Sequence, residues 1–345
     1  MKAAVLVKQN APLEVLDVDI PTLDIGQVLV KVEYSGICGK QIDEITGRQG
    51  DDPHIPHLLG HEGSGVVVET GPGVRKVKVG DRVVLHWIKG TGIDSLPPRF
   101  SHNGKTLSAG WVTTFAEYTV ASENRMTVVD DGFDGDILAL LGCAVTTGLG
   151  IVFNNARLMP GQSIAVFGAG GIGLNVIQGA ELVSAYPIVA IDISEEKLKT
   201  ARAFGATHVI NSTIDDPAEA LATLSHGNGF DAVVDNTGVN DVRVTAYDAT
   251  ANRGTTIFAG IPPAGERMAI DSFPLHFGRR VVGSHGGETV PEVDIPRYLS
   301  LFSQGKLRLR ELIDGRYSLD DINEAVDQVR KGRVCGRCVI HMEAS

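Results

Sequence analysis

The stretch Val166-Phe167-Gly168-Ala169-Gly170-Gly171-Ile172-Gly173 is followed nineteen residues later by Asp192, which ends a second apolar run. This pattern is typical of a buried strand, a glycine turn, a helix and a second buried strand with an acidic tip. In such a unit Gly168 permits the tight turn, Gly170 lets the backbone approach a pyrophosphate, and Gly173 lets helix and strand pack closely. The helix N-terminus would offer its N–H groups to the phosphates. The stretch therefore predicts a dinucleotide site.

Asp192 also bears on which dinucleotide binds. A carboxylate at this position accepts hydrogen bonds from the ribose hydroxyls and repels a 2′-phosphate. The next four residues, 193–196, include no arginine that could hold such a phosphate, and Lys197 could reach a ribose hydroxyl. These residues favour NAD over NADP. The alternative is a glycine-rich turn in another kind of α/β domain, with Asp192 merely capping the helix that starts near Ser194.

Composition limits the classes of function. A chain of 345 residues is long enough for two domains, and 43% hydrophobic residues with 41 glycines fits a turn-rich globular protein. A formal net charge of −11 argues against nucleic acid and anionic membranes as partners. We expect a cytoplasmic protein, because the sequence has no apparent signal peptide and its four cysteines are too few for a disulfide framework.

The chain changes character near residue 145. Residues 1–145 contain short alternating apolar runs separated by turns, which predicts an antiparallel β domain. Residues 146–287 alternate apolar runs with helical segments, which predicts a doubly wound parallel sheet of the Rossmann type. We expect two helices and a last strand within residues 288–345.

The runs that we interpret as strands share a high content of apolar and β-branched residues and are bounded by turn residues. In the first domain they are 28–32, 65–69, 82–85 and 115–120, and in the second they are 163–167, 188–192, 208–210, 231–235, 255–259 and 280–284. The C-terminal part is predicted to have helices at 294–303 and 319–330 and a strand at 337–340. Residues 89–110 are predicted to be a long irregular loop, of a kind that is usually functional or mobile.

Cys38, His61 and Cys143 are candidate metal ligands. Two thiolates and one imidazole suit a tetrahedral zinc ion and leave one position open for water or substrate. The gaps of 23 and 82 residues do not establish such a site. Taken singly, each residue is more often an inert buried thiol or a hydrogen-bonded core histidine.

These motifs and their order resemble the zinc-dependent alcohol dehydrogenases of the medium-chain dehydrogenase/reductase family over essentially the whole chain. The matching segments are Gly60-His61-Glu62-Gly63, Gly142-Cys143-Ala144-Val145-Thr146-Thr147-Gly148 and residues 165–206. The resemblance implies a GroES-like catalytic domain at 1–145 and 288–345 and a Rossmann NAD-binding domain at 146–287. It also implies that Cys38, His61 and Cys143 bind a catalytic zinc.

The resemblance assigns further roles. Glu62 would be a carboxylate beside the zinc, and Trp87 an aromatic wall of the substrate pocket. Arg337 would support the outer shell of the metal and the pyrophosphate. The residues implied to contact the cofactor are Gly168, Gly170, Gly171, Ile172, Gly173, Asp192, Lys197, Thr147 and Arg337.

Two departures from the family pattern change the expectations. The four cysteines of a structural zinc are missing from 89–110, so we expect one zinc per chain. Lys40 replaces the hydroxyl residue that usually passes on the alcohol proton, and Gln41 replaces a carboxylate. Lys40 is either a solvated lysine or a group that exchanges the proton itself.

The expected activity is NAD-linked interconversion of an alcohol and an aldehyde or ketone, in a dimer or tetramer by analogy. His86, Trp87, Lys40 and the polar loop with Arg99, Ser101, His102 and Asn103 suggest a polyol, sugar or amino-alcohol substrate. A zinc-free quinone or enoyl reductase and a non-catalytic NAD-binding protein are the alternatives. We interpret Cys335-Gly336-Arg337-Cys338, a CxxC in or near the last strand, as structural rather than redox-active.

Overall fold

The structure, a computed structural model, describes residues 1–342 of the chain. Its strands are β1 (Lys2–Leu6), β2 (Glu14–Asp17), β3 (Gln27–Gly36), β4 (His57–Leu58), β5 (Glu62–Thr70), β6 (Arg82–His86), β7 (Phe100–His102), β8 (Lys105–Leu107), β9 (Tyr118–Ser122), β10 (Met126–Val128), β11 (Ile164–Phe167), β12 (Ile188–Asp192), β13 (His208–Asn211), β14 (Phe230–Asp235), β15 (Thr250–Phe258), β16 (Arg280–Gly283), β17 (Ile313–Ser318) and β18 (Arg337–His341). Its α-helices are α1 (Gly39–Thr46), α2 (Gly135–Leu140), α3 (Ala144–Gly150), α4 (Gly171–Leu182), α5 (Glu195–Ala203), α6 (Pro217–Leu224), α7 (Asn240–Asp248), α8 (Pro291–Ser303) and α9 (Ile322–Arg330). Short 3₁₀ or π segments cover Glu123–Arg125, Ile151–Ala156, Phe273–Phe277 and Gly286–Glu288.

The chain divides into two compact units. The first comprises Met1–Ala144, Val290–Gln304 and residues 309–342. The second comprises Val145–Thr289 and Gly305–Arg308. Over residues 1–342, no helix has the length and apolar character needed to cross a membrane.

The first unit is built on a sheet with the order β10-β6-β5-β3-β18-β17, in which β9 also pairs with β3. Its strands pair antiparallel except for β17 with β18. Along β3 the side chains of Val28, Val30 and Val32 are fully buried, whereas Lys31 is exposed. This alternation is what one buried face of an antiparallel sheet requires. The predicted antiparallel β domain is confirmed.

The second unit is a parallel sheet with the order β13-β12-β11-β14-β15-β16. This is the strand order of a doubly wound dinucleotide-binding fold. Every residue of β11 is buried, as expected for a parallel strand covered on both faces. The predicted Rossmann-type fold is confirmed.

Element ends differ from the prediction by a few residues. Strand β15 begins at Thr250, five residues before the predicted start, and α8 begins at Pro291, where proline occupies the first turn. Strand β17 was not predicted, because Asp314-Gly315-Arg316 breaks its apolar alternation. That strand forms through its parallel pairing with β18, a contact that local sequence does not encode.

Part of the segment 89–110 is ordered as a hairpin, so the prediction of an irregular loop was wrong there. Strands β7 and β8 pair antiparallel across Asn103-Gly104. These two residues have φ of 49° and 73°, the left-handed conformation that a two-residue hairpin turn favours. The Asn-Gly pair was the sequence signal for this hairpin.

A buried carboxylate anchors the beginning of this segment. Glu123 is 3% exposed, and its carboxylate accepts hydrogen bonds from the backbone N–H groups of Arg75, Lys76 and Ile93 at 2.8–2.9 Å. Burial raises the pKa of Glu123, but these hydrogen bonds and the charge of Lys76 outweigh burial and lower the pKa below its usual value. Glu123 therefore joins three backbone segments of the first unit.

We predict that Glu123→Gln lowers the free energy of unfolding by about 1–3 kcal/mol at pH 7, because an amide nitrogen faces a backbone donor. The exposed Glu69→Gln is the control, with an expected change within about 0.5 kcal/mol. Since the native pKa is depressed, the contribution is present above about pH 4.3 and is lost as the pH falls through the native pKa. Urea unfolding at several pH values measures this. A difference that is absent at pH 7, or that grows on acidification, contradicts the prediction.

Candidate metal centre and dinucleotide site

Strand pairing brings two of the candidate ligands together. Cys38 follows the end of β3, and His61 immediately precedes β5. These strands pair antiparallel with Ser35 opposite Gly63, so the end of one meets the beginning of the other. A gap of 23 residues in the sequence is thereby closed.

Cys143 joins this pair because the chain before it lies very close to the sheet. A Cβ atom on Gly142 would lie 2.3 Å from Leu85 O and 2.8 Å from Glu62 Cα, so no larger residue fits there without a shift. Glycine at this position allows α2 to place Cys143 beside the strand ends.

The ligand atoms of Cys38, His61 and Cys143 all lie within 4.8 Å of one another. Both cysteines are buried, and His61 Nε2 is buried without a hydrogen-bond partner among residues 1–342. A hydrogen bond from Cys143 and the charge of Arg337 lower the pKa of Cys38 well below its usual value, which favours a thiolate. Two sulfurs and one unpartnered imidazole nitrogen at these separations fit a single tetrahedral zinc ion.

Gln41 departs from the family pattern, and the contacts of its side chain were not predicted. Its side chain is 1% exposed. Oε1 accepts a hydrogen bond from the backbone N–H of Cys38 at 2.9 Å, and Nε2 lies 2.7 Å from His61 Nδ1. The spacing of a helix N-cap and its third residue could have indicated the first contact. The second contact is long-range and had no local signal.

Glu62 and Arg337 form a buried ion pair behind the cysteines. Glu62 Oε1 lies 3.2 Å from Arg337 Nε, and Oε2 accepts from Ala144 N at 3.1 Å. Arg337 also donates to Cys38 Sγ at 3.5 Å. Burial raises the pKa of Glu62, while Arg337 acts in the opposite direction. The arginine thus contacts both a candidate ligand and the predicted outer-shell carboxylate, and its role at a pyrophosphate stays a prediction.

Lys40 follows the candidate ligand Cys38 by two residues, and Trp87 lies near His61. Lys40 is in the first turn of α1, with Nζ 3.7 Å from Glu44 Oε1 and 36% of its side chain exposed. The ring centroid of Trp87 lies 6.4 Å from that of His61. Their roles in proton exchange and substrate contact stay predictions.

Other residues predicted for a polar pocket are engaged elsewhere. His86 is 1% exposed, with Nδ1 2.7 Å from Ile88 O and Nε2 3.0 Å from Thr127 Oγ1. Burial lowers its pKa to about 4, so His86 is a neutral structural residue. Ser101 and His102 in the hairpin are bonded to the two acidic residues Asp19 and Asp17, through a carboxylate and a backbone oxygen respectively.

In the second unit, the three glycines of the opening motif differ in what surrounds them. Gly168 has φ of 87°, which favours glycine in a tight turn. A Cβ atom on Gly173 would lie 1.9 Å from Gly168 O, so helix α4 packs directly on the turn. A Cβ atom on Gly170 would meet no atom within 4 Å, which leaves open space above the turn. Gly171 and Ile172 form the first turn of α4, where the N–H groups have no partner within the helix.

Asp192 lies against this turn. Its carboxylate accepts hydrogen bonds from Ala169 N at 2.8 Å and Ser194 N at 3.0 Å. Ser194, rather than Asp192, caps helix α5, and Lys197 lies in the first turn of that helix. Thr147 in α3 is 5% exposed, and its hydroxyl has no hydrogen-bond partner in the described part of the chain.

Comparison with known proteins identifies the family. A zinc-binding dehydrogenase model matches residues 171–304, and an alcohol dehydrogenase GroES-like domain model matches residues 24–131. The chain is 35% identical to an S-(hydroxymethyl)glutathione dehydrogenase from Escherichia coli, covering 96% of this chain and 97% of that protein. It belongs to the zinc-dependent alcohol dehydrogenase family.

Other relatives of this zinc-dependent dehydrogenase agree. An S-(hydroxymethyl)glutathione dehydrogenase from Synechocystis sp. is 34% identical over 99% of both chains. The crystal structure of benzyl alcohol dehydrogenase from Acinetobacter calcoaceticus has a TM-score of 0.90 at 29% identity, over 99% of both chains. The chain is therefore an oxidoreductase that interconverts an alcohol and an aldehyde or ketone. Membership of this family disfavours the alternative of a zinc-free quinone or enoyl reductase.

The CxxC segment lies where the last strand begins. A Cβ atom on Gly336 would lie 2.0 Å from Leu312 O, so the segment packs tightly. Burial raises the pKa of Cys338 to about 11, the opposite of what a redox-active thiol requires. Residues 1–342 contain all four cysteines, and none forms a disulfide. These features favour the structural interpretation.

We predict that Arg337→Met destabilises the protein by about 3–5 kcal/mol, because it leaves the Glu62 carboxylate buried without its cation. The exposed Arg333→Met, four residues earlier, is the matched control and should change stability by less than about 0.5 kcal/mol. Urea unfolding monitored by tryptophan fluorescence makes the comparison. Equal stability of the two variants would show that the ion pair is unimportant.

Proposed function

We propose that the chain is an NAD-dependent alcohol dehydrogenase with one catalytic zinc, held by Cys38, His61 and Cys143. The observation that carries this proposal is the convergence of two thiols and an unpartnered imidazole nitrogen within 4.8 Å. The predicted limits, 1–145 with 288–345 and 146–287, would be the catalytic and the cofactor domain.

Each residue of the proposed metal centre has a distinct role in the reaction or in holding the ion. When bound, zinc acts as a Lewis acid that lowers the pKa of the alcohol and polarises the carbonyl. Cys38 and Cys143 supply the negative charge that holds the ion, and Arg337 limits the repulsion between that charge and Glu62. The partly exposed ammonium of Lys40 is the proposed group for exchanging the alcohol proton, and Trp87 the proposed wall of the pocket.

The second unit would bind NAD. The open space at Gly170 and the N-terminus of α4 suit a pyrophosphate, and the Asp192 carboxylate suits ribose hydroxyls. The unpartnered hydroxyl of Thr147 and the side chain of Lys197 would add contacts to the cofactor. A negative charge at Asp192 disfavours the 2′-phosphate of NADP.

We propose that no structural zinc is present. The chain has four cysteines, two of which belong to the proposed catalytic centre, and none lies in 89–110. Glu123 anchors part of that segment instead. Glu292 adds a second anchor, because it accepts from Lys76 Nζ and Thr91 N, both at 2.5 Å.

Substrate and assembly are proposed more coarsely. Relatives are named for S-(hydroxymethyl)glutathione and benzyl alcohol, so we propose a primary alcohol and its aldehyde as the substrate pair.

Among the described residues β16 pairs only with β15, and Phe273 and Phe277 nearby are 65% and 54% exposed. We propose that a second copy covers this edge. Because no disulfide joins the cysteines, we place the protein in the cytoplasm.

The test combines metal analysis with an assay. We predict about one zinc per purified chain, and NADH formation from NAD⁺ with a panel of primary alcohols and polyols. NADP⁺ should give a kcat/KM at least tenfold lower, because of Asp192. Cys38→Ser should lose most of the zinc and at least a hundredfold in kcat, whereas Cys335→Ser should change neither. Tight NADH binding without turnover of any alcohol would instead support the non-catalytic alternative.

A further inference from the structure

Gln41 links two of the proposed metal ligands through one buried amide. A backbone N–H can only donate, so the N–H of Cys38 fixes Oε1 toward itself. The NH₂ of Gln41 is therefore directed at His61 and donates to Nδ1 at 2.7 Å. One orientation of the amide therefore makes both hydrogen bonds, through Oε1 to Cys38 and through Nε2 to His61.

This orientation determines where the His61 ring carries its hydrogen. Because Nδ1 accepts from Gln41, the hydrogen of the neutral ring lies on Nε2. Nε2 is, however, the buried atom without a partner that a metal would use. A histidine that binds metal through Nε2 carries its hydrogen on Nδ1 and donates it to an acceptor.

Metal binding then conflicts with the amide orientation. If the amide turns over, Oε1 accepts from Nδ1–H, but the NH₂ group faces the N–H of Cys38. Two donors then meet at a side chain that is 1% exposed, where water cannot supply an acceptor. Metal binding through His61 Nε2 therefore costs one buried hydrogen bond.

We propose that Gln41 is a positioning residue that holds His61 in the tautomer opposed to metal binding. It thereby lowers the affinity of this site for zinc below the affinity that a carboxylate at position 41 would give. Bound zinc therefore exchanges more readily. A glutamate has the same length and accepts from both N–H groups at once. The inference rests on the proposed function, because it takes zinc as the ion.

The first experiment measures zinc affinity by competition with a fluorescent chelator on the full chain. We expect Gln41→Glu to bind Zn²⁺ about tenfold to a hundredfold more tightly than the unaltered chain, the usual range for a metal's outer-shell partners. The double variant Gln41→Glu/Glu44→Gln keeps the net charge, because it moves one carboxylate along α1. The double variant should keep at least a tenfold gain in zinc affinity. A gain that depended only on the net charge of the chain would be lost in it.

A second variant covers the case in which glutamate at position 41 prevents folding. Gln41→Met has no hydrogen-bonding group, so no bond is lost on loading, and its zinc affinity should equal or exceed that of the unaltered chain. If Gln41 instead stabilised the zinc-binding tautomer of His61, Gln41→Met would bind zinc more weakly than the unaltered chain. A tenfold weaker affinity in Gln41→Met, or no gain in the charge-matched double variant, overturns the proposal.

The tautomer itself is measured by long-range ¹H–¹⁵N correlation spectra of the full-length chain before zinc is added. His61 should show a protonated Nε2, and Gln41→Glu should move the hydrogen to Nδ1, with His61→Gln identifying the signals. A hydrogen on Nδ1 in the unaltered chain contradicts the inference. Absence of zinc binding in the unaltered chain would contradict the proposed function, and the spectra would still decide the inference.

Discussion

The proposed centre depends on the antiparallel pairing of β3 with β5. Because Ser35 lies opposite Gly63, the residues just beyond each strand end, Cys38 and His61, are placed side by side. A shift of one residue in this register would turn the strand faces over and separate the two ligands. The close approach at Gly142 then adds Cys143. Backbone hydrogen bonds, rather than side-chain contacts, therefore set the spacing of the ligands.

Buried charge is the second constraint. Thiolates placed side by side repel each other, and burial makes each one more costly. Arg337 lies 3.5 Å from Cys38 Sγ and 3.2 Å from Glu62 Oε1, so one cation serves two buried acidic groups. A divalent ion among the three ligand atoms would remove the remaining excess of negative charge. The ion is thus expected to contribute to the stability of the first unit as well as to catalysis.

The sequence predicted the second unit better than the first, for a physical reason. The determinants of the dinucleotide unit lie within 26 residues, from Phe167 to Asp192, and each acts through local backbone geometry. The metal ligands are separated by long gaps, so only the family resemblance joined them. Strand β17 and the contact of Gln41 with His61 depend on distant partners, and neither was predicted. The Asn103-Gly104 hairpin, by contrast, had a local signal that was overlooked.

The central claim is that two cysteines and one histidine bind a single zinc ion. Zinc K-edge X-ray absorption of the purified chain tests it most directly. The account predicts about two sulfur neighbours at about 2.3 Å and nitrogen or oxygen neighbours at about 2.0–2.1 Å. A shell of nitrogen and oxygen alone, or four sulfurs, would contradict it.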